Sequence, residues 1–173
     1  MEIDLPHQLT DQAEIVVNLA AEHGMTLATV ESCTAGELAH LLSQAEGASK
    51  VLHGGFIVYT KDNKTAAVGV SKELLAEHTA VSAAVAKAMA LGGLARCPAS
   101  IVAAITGVAG PEPDEDHNPV GLVYVAAAAR DGRCLVAKHE FVAAGKALIC
   151  AQAMQAALSL VEQLLRPPAG DGR

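Results

Sequence analysis

The stretch Met25–Gly36, MTLATVESCTAG, decides the fold, because two elements meet in it. Met25 to Val30 is a short apolar and β-branched run, the pattern of a buried strand. Directly after it, Thr34 with Glu37 predicts a capping box opening a helix that carries Leu38, Leu41 and Leu42. A strand that runs straight into a helix is the building unit of an α/β sheet. It also leaves unpaired backbone N–H groups at the turn, where the helix dipole favours negative charge.

Working outward, Asp11 and Glu14 predict a capping box for an upstream helix with Ile15, Val16, Leu19 and Ala20 on its apolar face and Gly24 as its stop. Downstream, Gly54–Tyr59 reads as a strand. Lys72–Glu77 and Ser82–Ala95 read as helices, the second capped by Ser82. Ser100–Ile105 reads as a strand feeding a sixteen-residue Gly/Pro-rich loop, TGVAGPEPDEDHNPVG. Leu122–Arg130 and Cys134–Phe141 flank Asp131-Gly132, a strong hairpin signal. A last helix places Ala147, Ala151, Met154, Leu158, Val161 and Leu165 on one stripe. Strands alternating with helices and closed by a hairpin predict an α/β domain, a three-layer α/β/α sandwich with a mixed, mostly parallel sheet. One domain is expected over residues 1–166, followed by a flexible tail over 167–173.

Composition narrows the function. Hydrophobic residues make up 51% but aromatics only 2%, so Ala, Val and Leu must build the core, and no aromatic platform for stacking bases exists. The net charge is −7 with no cationic cluster, which argues against nucleic acid. No run is read as approaching the roughly 20 apolar residues of a membrane span, and the acidic N-terminus carries no secretory signal, so a cytoplasmic protein is expected. Cys33, Cys97, Cys134 and Cys150 fall in no metal-ligand spacing and read as reduced thiols, three of them in the core. The seven histidines show no ligand pair, and no metal is assigned.

Three segments could carry chemistry. At the turn, Ser32 and Thr34 offer hydroxyls and Cys33 a thiol. A hydroxyl there can attack a carbonyl while neighbouring amides hold the oxyanion, although capping is the commoner use of both residues. Lys61 and Lys64 leave a strand end, where an α/β sheet presents ligand-contacting groups. A lysine of lowered pKa can serve a serine as base, while a solvated loop lysine is the plainer reading. The loop Thr106-Gly107-Val108-Ala109-Gly110-Pro111 can bring backbone close to a ligand, yet lacks a dinucleotide fingerprint.

In combination, VESCTAG, GGFIVYTKDNKTAAVGV, AVSAAVAKAMALG and ITGVAGP…NPVGLVYVA resemble the C-terminal domain of the competence/damage-inducible protein CinA, the family of nicotinamide mononucleotide deamidases. The resemblance covers roughly Leu9 to Val125. It implies hydrolysis of a small-molecule carboxamide, a pyridine nucleotide, to the acid and ammonia without metal or cofactor, and it implies a homo-oligomer. Carried over, Ser32 is nucleophile, Lys64 its base and Tyr59 a hydrogen-bonding assistant. Glu31, Cys33, Thr34 and Gly36 of the turn, with Thr106, Gly107 and Gly110 of the loop, are expected to bind substrate.

The sequence departs from the family pattern in three places. Ala35 stands where the signature has glycine. Phe141–Ile149 lacks the two arginines that follow the family's last strand, leaving Lys146, which is not a bidentate equivalent. The acidic run Glu112–Asp116 replaces a glycine-containing turn. Three readings stay open on these residues: the deamidase, a non-catalytic binder of a nucleotide-like ligand or partner, and an amidase for an unphosphorylated amide.

Overall fold

The computed structural model describes residues 5–166, and the expected tail 167–173 lies outside them. The element order is α1 (Leu5–Glu22), β1 (Leu27–Glu31), α2 (Glu37–Gln44), α3 (Ala48–Val51), β2 (Leu52–Ile57), α4 (Lys61–Val68), α5 (Lys72–His78), α6 (Ala83–Arg96), β3 (Ile101–Gly107), β4 (Leu122–Ala129), β5 (Cys134–Glu140) and α7 (Lys146–Leu165). The sheet order is β2-β1-β3-β4-β5. β1 pairs in parallel with β2 and β3, whereas β3–β4 and β4–β5 are antiparallel, so β4 alone runs against the rest.

Alternation along the strands builds two cores. Ile101, Ala103, Ile105, Val123, Val125 and Ala127 face a layer made by α1, α2, α3 and α7. Their neighbours Val102, Ala104, Ala126 and Ala128 face α6 and the buried residues of α4 and α5. This is the expected three-layer mixed α/β sandwich. β1 is buried at every residue because strands flank it and helices cover both faces. Small side chains set the spacing: a Cβ on Gly93 of α6 would come within 2.7 Å of Val30 and 2.8 Å of Val102, so this helix lies directly on the sheet.

Local expectations fail where packing overrides them. α1 begins at Leu5, so Asp11 and Glu14 lie inside it and cap nothing. Its buried stripe is Leu9, Ala13, Val16, Val17 and Ala20, set by α7 and α3, while Ile15 is 48% exposed. α3 and α4 were not expected at all. On α7, Ala147 is exposed because the first turn reaches beyond the core; the buried stripe starts at Ile149 and Cys150. This helix is also long and apolar enough to cross a membrane, contrary to the sequence reading. Its apolar residues instead fill the core against β3 and β4. Two cysteines rather than three are buried, Cys33 and Cys150, and all four are free thiols.

The hairpin β4–β5 forms as expected, with Gly132 of the turn at φ +95°. The Ser82 cap of α6 also forms, its hydroxyl accepting from Val85 N.

Candidate active site

The parallel strands β1, β2 and β3 end on the same side of the sheet, and the residues that follow them converge there, the usual place for a ligand in an α/β sheet. Ser32 and Cys33 follow β1, Tyr59 and Thr60 follow β2, and Thr106 and Gly107 close β3. Together they line a cavity of about 420 Å³ whose outer wall comes from Glu112, Asp114 and Glu115 of the acidic loop and Lys146 of α7.

At its base, Lys64 Nζ lies 2.9 Å from Ser32 Oγ and donates to it, and it also donates to Val58 O at 2.9 Å. Lys64 is 1% exposed and Ser32 7%. The lysine gets there on α4, whose N-cap Thr60 accepts from Asn63 N and whose inward face carries Lys64 and Val68. Burial lowers the Lys64 pKa from 10.5 to about 8, because the charged form is deprived of water. Nearby Cys33 is the opposite case: burial, reinforced by Cys150, pushes its thiol up to about 12. A protonated thiol is a poor nucleophile, so the serine is the better candidate of the two.

The turn itself is not built as expected. Thr34 does not cap α2; its hydroxyl donates to Glu31 Oε2 at 2.7 Å, and the N-cap is Gly36, at φ +101°. The capping acceptor is the Glu31 carboxylate, which receives N–H bonds from Gly36, Leu38 and Ala39. The helix-start amides expected to hold an oxyanion are therefore occupied. Those of Cys33 and Thr34 find no acceptor among the described residues.

Of the residues singled out in the sequence, Ser32, Cys33, Tyr59, Lys64, Thr106, Gly107 and Gly110 are brought together around the cavity. Glu31, Thr34 and Gly36 are not among the residues that line it. Thr106 presents little free hydroxyl, since Oγ1 donates to Ala80 O at 2.7 Å. Tyr59 stands at the rim, 59% exposed. Gly110, at φ +89°, lets the loop turn tightly over Val120, which a Cβ there would meet at 2.9 Å.

Sequence reasoning missed Ala80 and Val81, which enter from the α5–α6 connection, and, although it named the acidic run Glu112–Asp116, it missed the pairing of that run with Lys61. Lys61 Nζ sits 2.8 Å from Asp116 and 3.0 Å from Glu115, tying the acidic loop to the first turn of α4. Opposite charges in the TKDNK and EPDED segments were the available signal. Among the described residues, no group of three or more His, Cys, Asp or Glu could hold a metal ion.

The chain matches the CinA C-terminal domain family over residues 9–165. It is 48% identical over 112 residues to a CinA-like protein of Mycolicibacterium gilvum, which is 65% of this chain and 26% of that protein. It is 38% identical over 154 residues to a CinA-like protein of Chloroherpeton thalassium, covering 88% and 37%. The chain thus spans about a quarter to just over a third of the length of the curated relatives it matches. Solved structures agree along their whole length. The competence/damage inducible protein CihA from Agrobacterium tumefaciens superposes with TM-score 0.88 at 34% identity, covering 91% of this chain and 96% of that one. A competence-damaged protein (CinA) superfamily protein from Escherichia coli superposes with TM-score 0.86 at 31% identity, covering 95% and 99%. The chain belongs to the CinA C-terminal domain family.

Proposed function

We propose that this domain is an amidohydrolase of the nicotinamide mononucleotide deamidase type, with Ser32 as nucleophile and Lys64 as its base. The observation that carries the reading is the buried Lys64 amine, 2.9 Å from Ser32 Oγ and with its pKa lowered to about 8. A neutral amine at that distance can take the serine proton. Ser32 Oγ then bonds to the carboxamide carbon, and the amide of Cys33, which lines the cavity, is free to receive the oxyanion. Collapse breaks the C–N bond, and the proton held on Lys64 leaves with the nitrogen as ammonia. Water, deprotonated by Lys64, hydrolyses the resulting ester and returns Ser32 with the carboxylic acid.

For a phosphorylated substrate, the support is Lys146 at the open N-terminus of α7. The 20-residue helix has Gly145 as N-cap and no capping side chain, so its first amides can meet an anion. A second reading, an unphosphorylated amide, is favoured by Glu112, Asp114 and Glu115 in the cavity wall and by the commitment of Lys61 to Glu115 and Asp116. Incubating the protein with nicotinamide mononucleotide and with the corresponding riboside, and measuring ammonia and carboxylate from each, decides between them. Release from neither above a Ser32→Ala control overturns the amidohydrolase reading.

A further inference from the structure

Glu31 has no task in the reaction scheme, yet it is the most elaborately held side chain near the nucleophile. It is fully buried, at 0% exposure. Thr29 Oγ1 and Ala39 N donate to Oε1 at 3.0 and 2.9 Å. Thr34 Oγ1, Gly36 N and Leu38 N donate to Oε2 at 2.7, 3.0 and 3.0 Å. Withdrawing a carboxylate from water is costly unless its lone pairs are filled, and here neutral donors and a helix N-terminus fill them. Capping α2 needs no such device, because a Ser or Asp at the N-cap does it from the surface.

What the buried carboxylate achieves is a closed loop around Ser32. Its donors come from both sides of the nucleophile, Thr29 before it and Thr34 to Ala39 after it. The main chain completes the clamp: Ser32 N donates to Ile105 O at 3.0 Å, and Val58 N donates to Glu31 O at 2.7 Å. The second of these bonds ties the turn to Val58, whose own carbonyl accepts from Lys64 Nζ. Glu31 is thus joined to the nucleophile through the backbone and to the base through one residue.

We infer that Glu31 is the positioning residue of this site, its carboxylate fixing the turn so that Ser32 Oγ is held against Lys64 Nζ and the Cys33 amide stays free. The inference rests on the reading of Ser32 as nucleophile. A small displacement of a reacting group costs on the order of a hundredfold in rate, so losing the clamp acts on kcat rather than on substrate affinity.

The test uses Glu31→Gln, which keeps the shape but turns one acceptor into a donor, and the milder Thr34→Val, which deletes a single bond to the carboxylate. The readouts are the rate of covalent labelling of Ser32 by a fluorophosphonate and, with an amide that is turned over, kcat and KM separately. Far-UV circular dichroism confirms that each variant is folded at the assay temperature. The expected result is labelling and kcat reduced on the order of a hundredfold in Glu31→Gln and roughly tenfold in Thr34→Val, with KM changed less than about threefold. Wild-type labelling rates in folded Thr34→Val or Glu31→Gln overturn the inference, as does absence of labelling at Ser32 in the wild type. Labelling that depends on Glu31 in a protein releasing no ammonia from any amide would overturn the deamidase reading alone.

Discussion

Lys61 Nζ and Asp116 Oδ1 are 2.8 Å apart, and this contact joins the loop that walls the cavity to the helix that carries Lys64. Each shifts the other: the Asp116 carboxylate raises the Lys61 pKa, and the Lys61 ammonium holds Asp116 below the usual carboxylate range. Asp116 also accepts from Ala80 N at 3.4 Å, so it braces a second wall. Both side chains are partly exposed, and ion pairs of that kind contribute less than about 1 kcal/mol. Lys61→Met is therefore expected to leave urea unfolding almost unchanged while raising KM several-fold. A KM equal to that of the wild type would show the loop to be held by other bonds.

The lowered Lys64 pKa fixes two pH dependences. Activity should rise with pH through about 8 as the amine loses its proton, and the rising limb of a kcat profile measures it. Stability follows from linkage. Between about 8 and the ordinary 10.5 the unfolded chain holds a proton on this lysine that the folded one lacks, so stability rises with pH there. Cys33 works the other way from 9.0 upward, since the unfolded thiol ionises while the folded one stays protonated to about 12. Burial raises the Cys134 and Cys150 thiols as well, so denaturant titrations should show stability climbing from pH 8 to 9 and declining above it. In Lys64→Met the climb should vanish.

Ala35 occupies left-handed backbone, at φ +47°, at the position where the family signature has glycine. A β-carbon in that region costs roughly 1 kcal/mol. Ala35→Gly should raise the free energy of unfolding by about that amount at unchanged activity, measured by urea denaturation. A loss of stability would mean that the Ala35 methyl makes compensating contacts.

Lys146 lines the cavity and is the residue to test for phosphate recognition. If its ammonium and the first amides of α7 hold a phosphate, Lys146→Ala should raise KM for nicotinamide mononucleotide roughly tenfold and leave the riboside unaffected. Equal effects on both would remove the phosphate from this corner.

What the sequence revealed depended on how local the cause was. The hairpin was legible because Asp131-Gly132 acts within four residues, and the α6 start because Ser82 bonds three residues on. α4 was not, although Thr60 caps it in the same way. Its inward face carries Lys64 where an apolar residue would signal a helix, and the residue that hides the element is the one the site uses. The clamp of Glu31 escaped for a different reason. A carboxylate reaching amides five to eight residues ahead follows no capping spacing, and Thr34 beside Glu37 supplied a decoy. The pairing of Ser32 with Lys64 spans 32 residues and crosses α2, α3 and β2, so it was the family resemblance that singled out Lys64 from its neighbour Lys61.

The pairing is tested most directly by mass spectrometry of protein quenched during turnover of the accepted amide, alongside ammonia release, in wild type and Ser32→Ala. The account predicts an acyl adduct on the peptide containing Ser32. It also predicts ammonia release falling by at least about a thousandfold in the variant. Ammonia release by Ser32→Ala at the wild-type rate, with the adduct absent or on another residue, would contradict it.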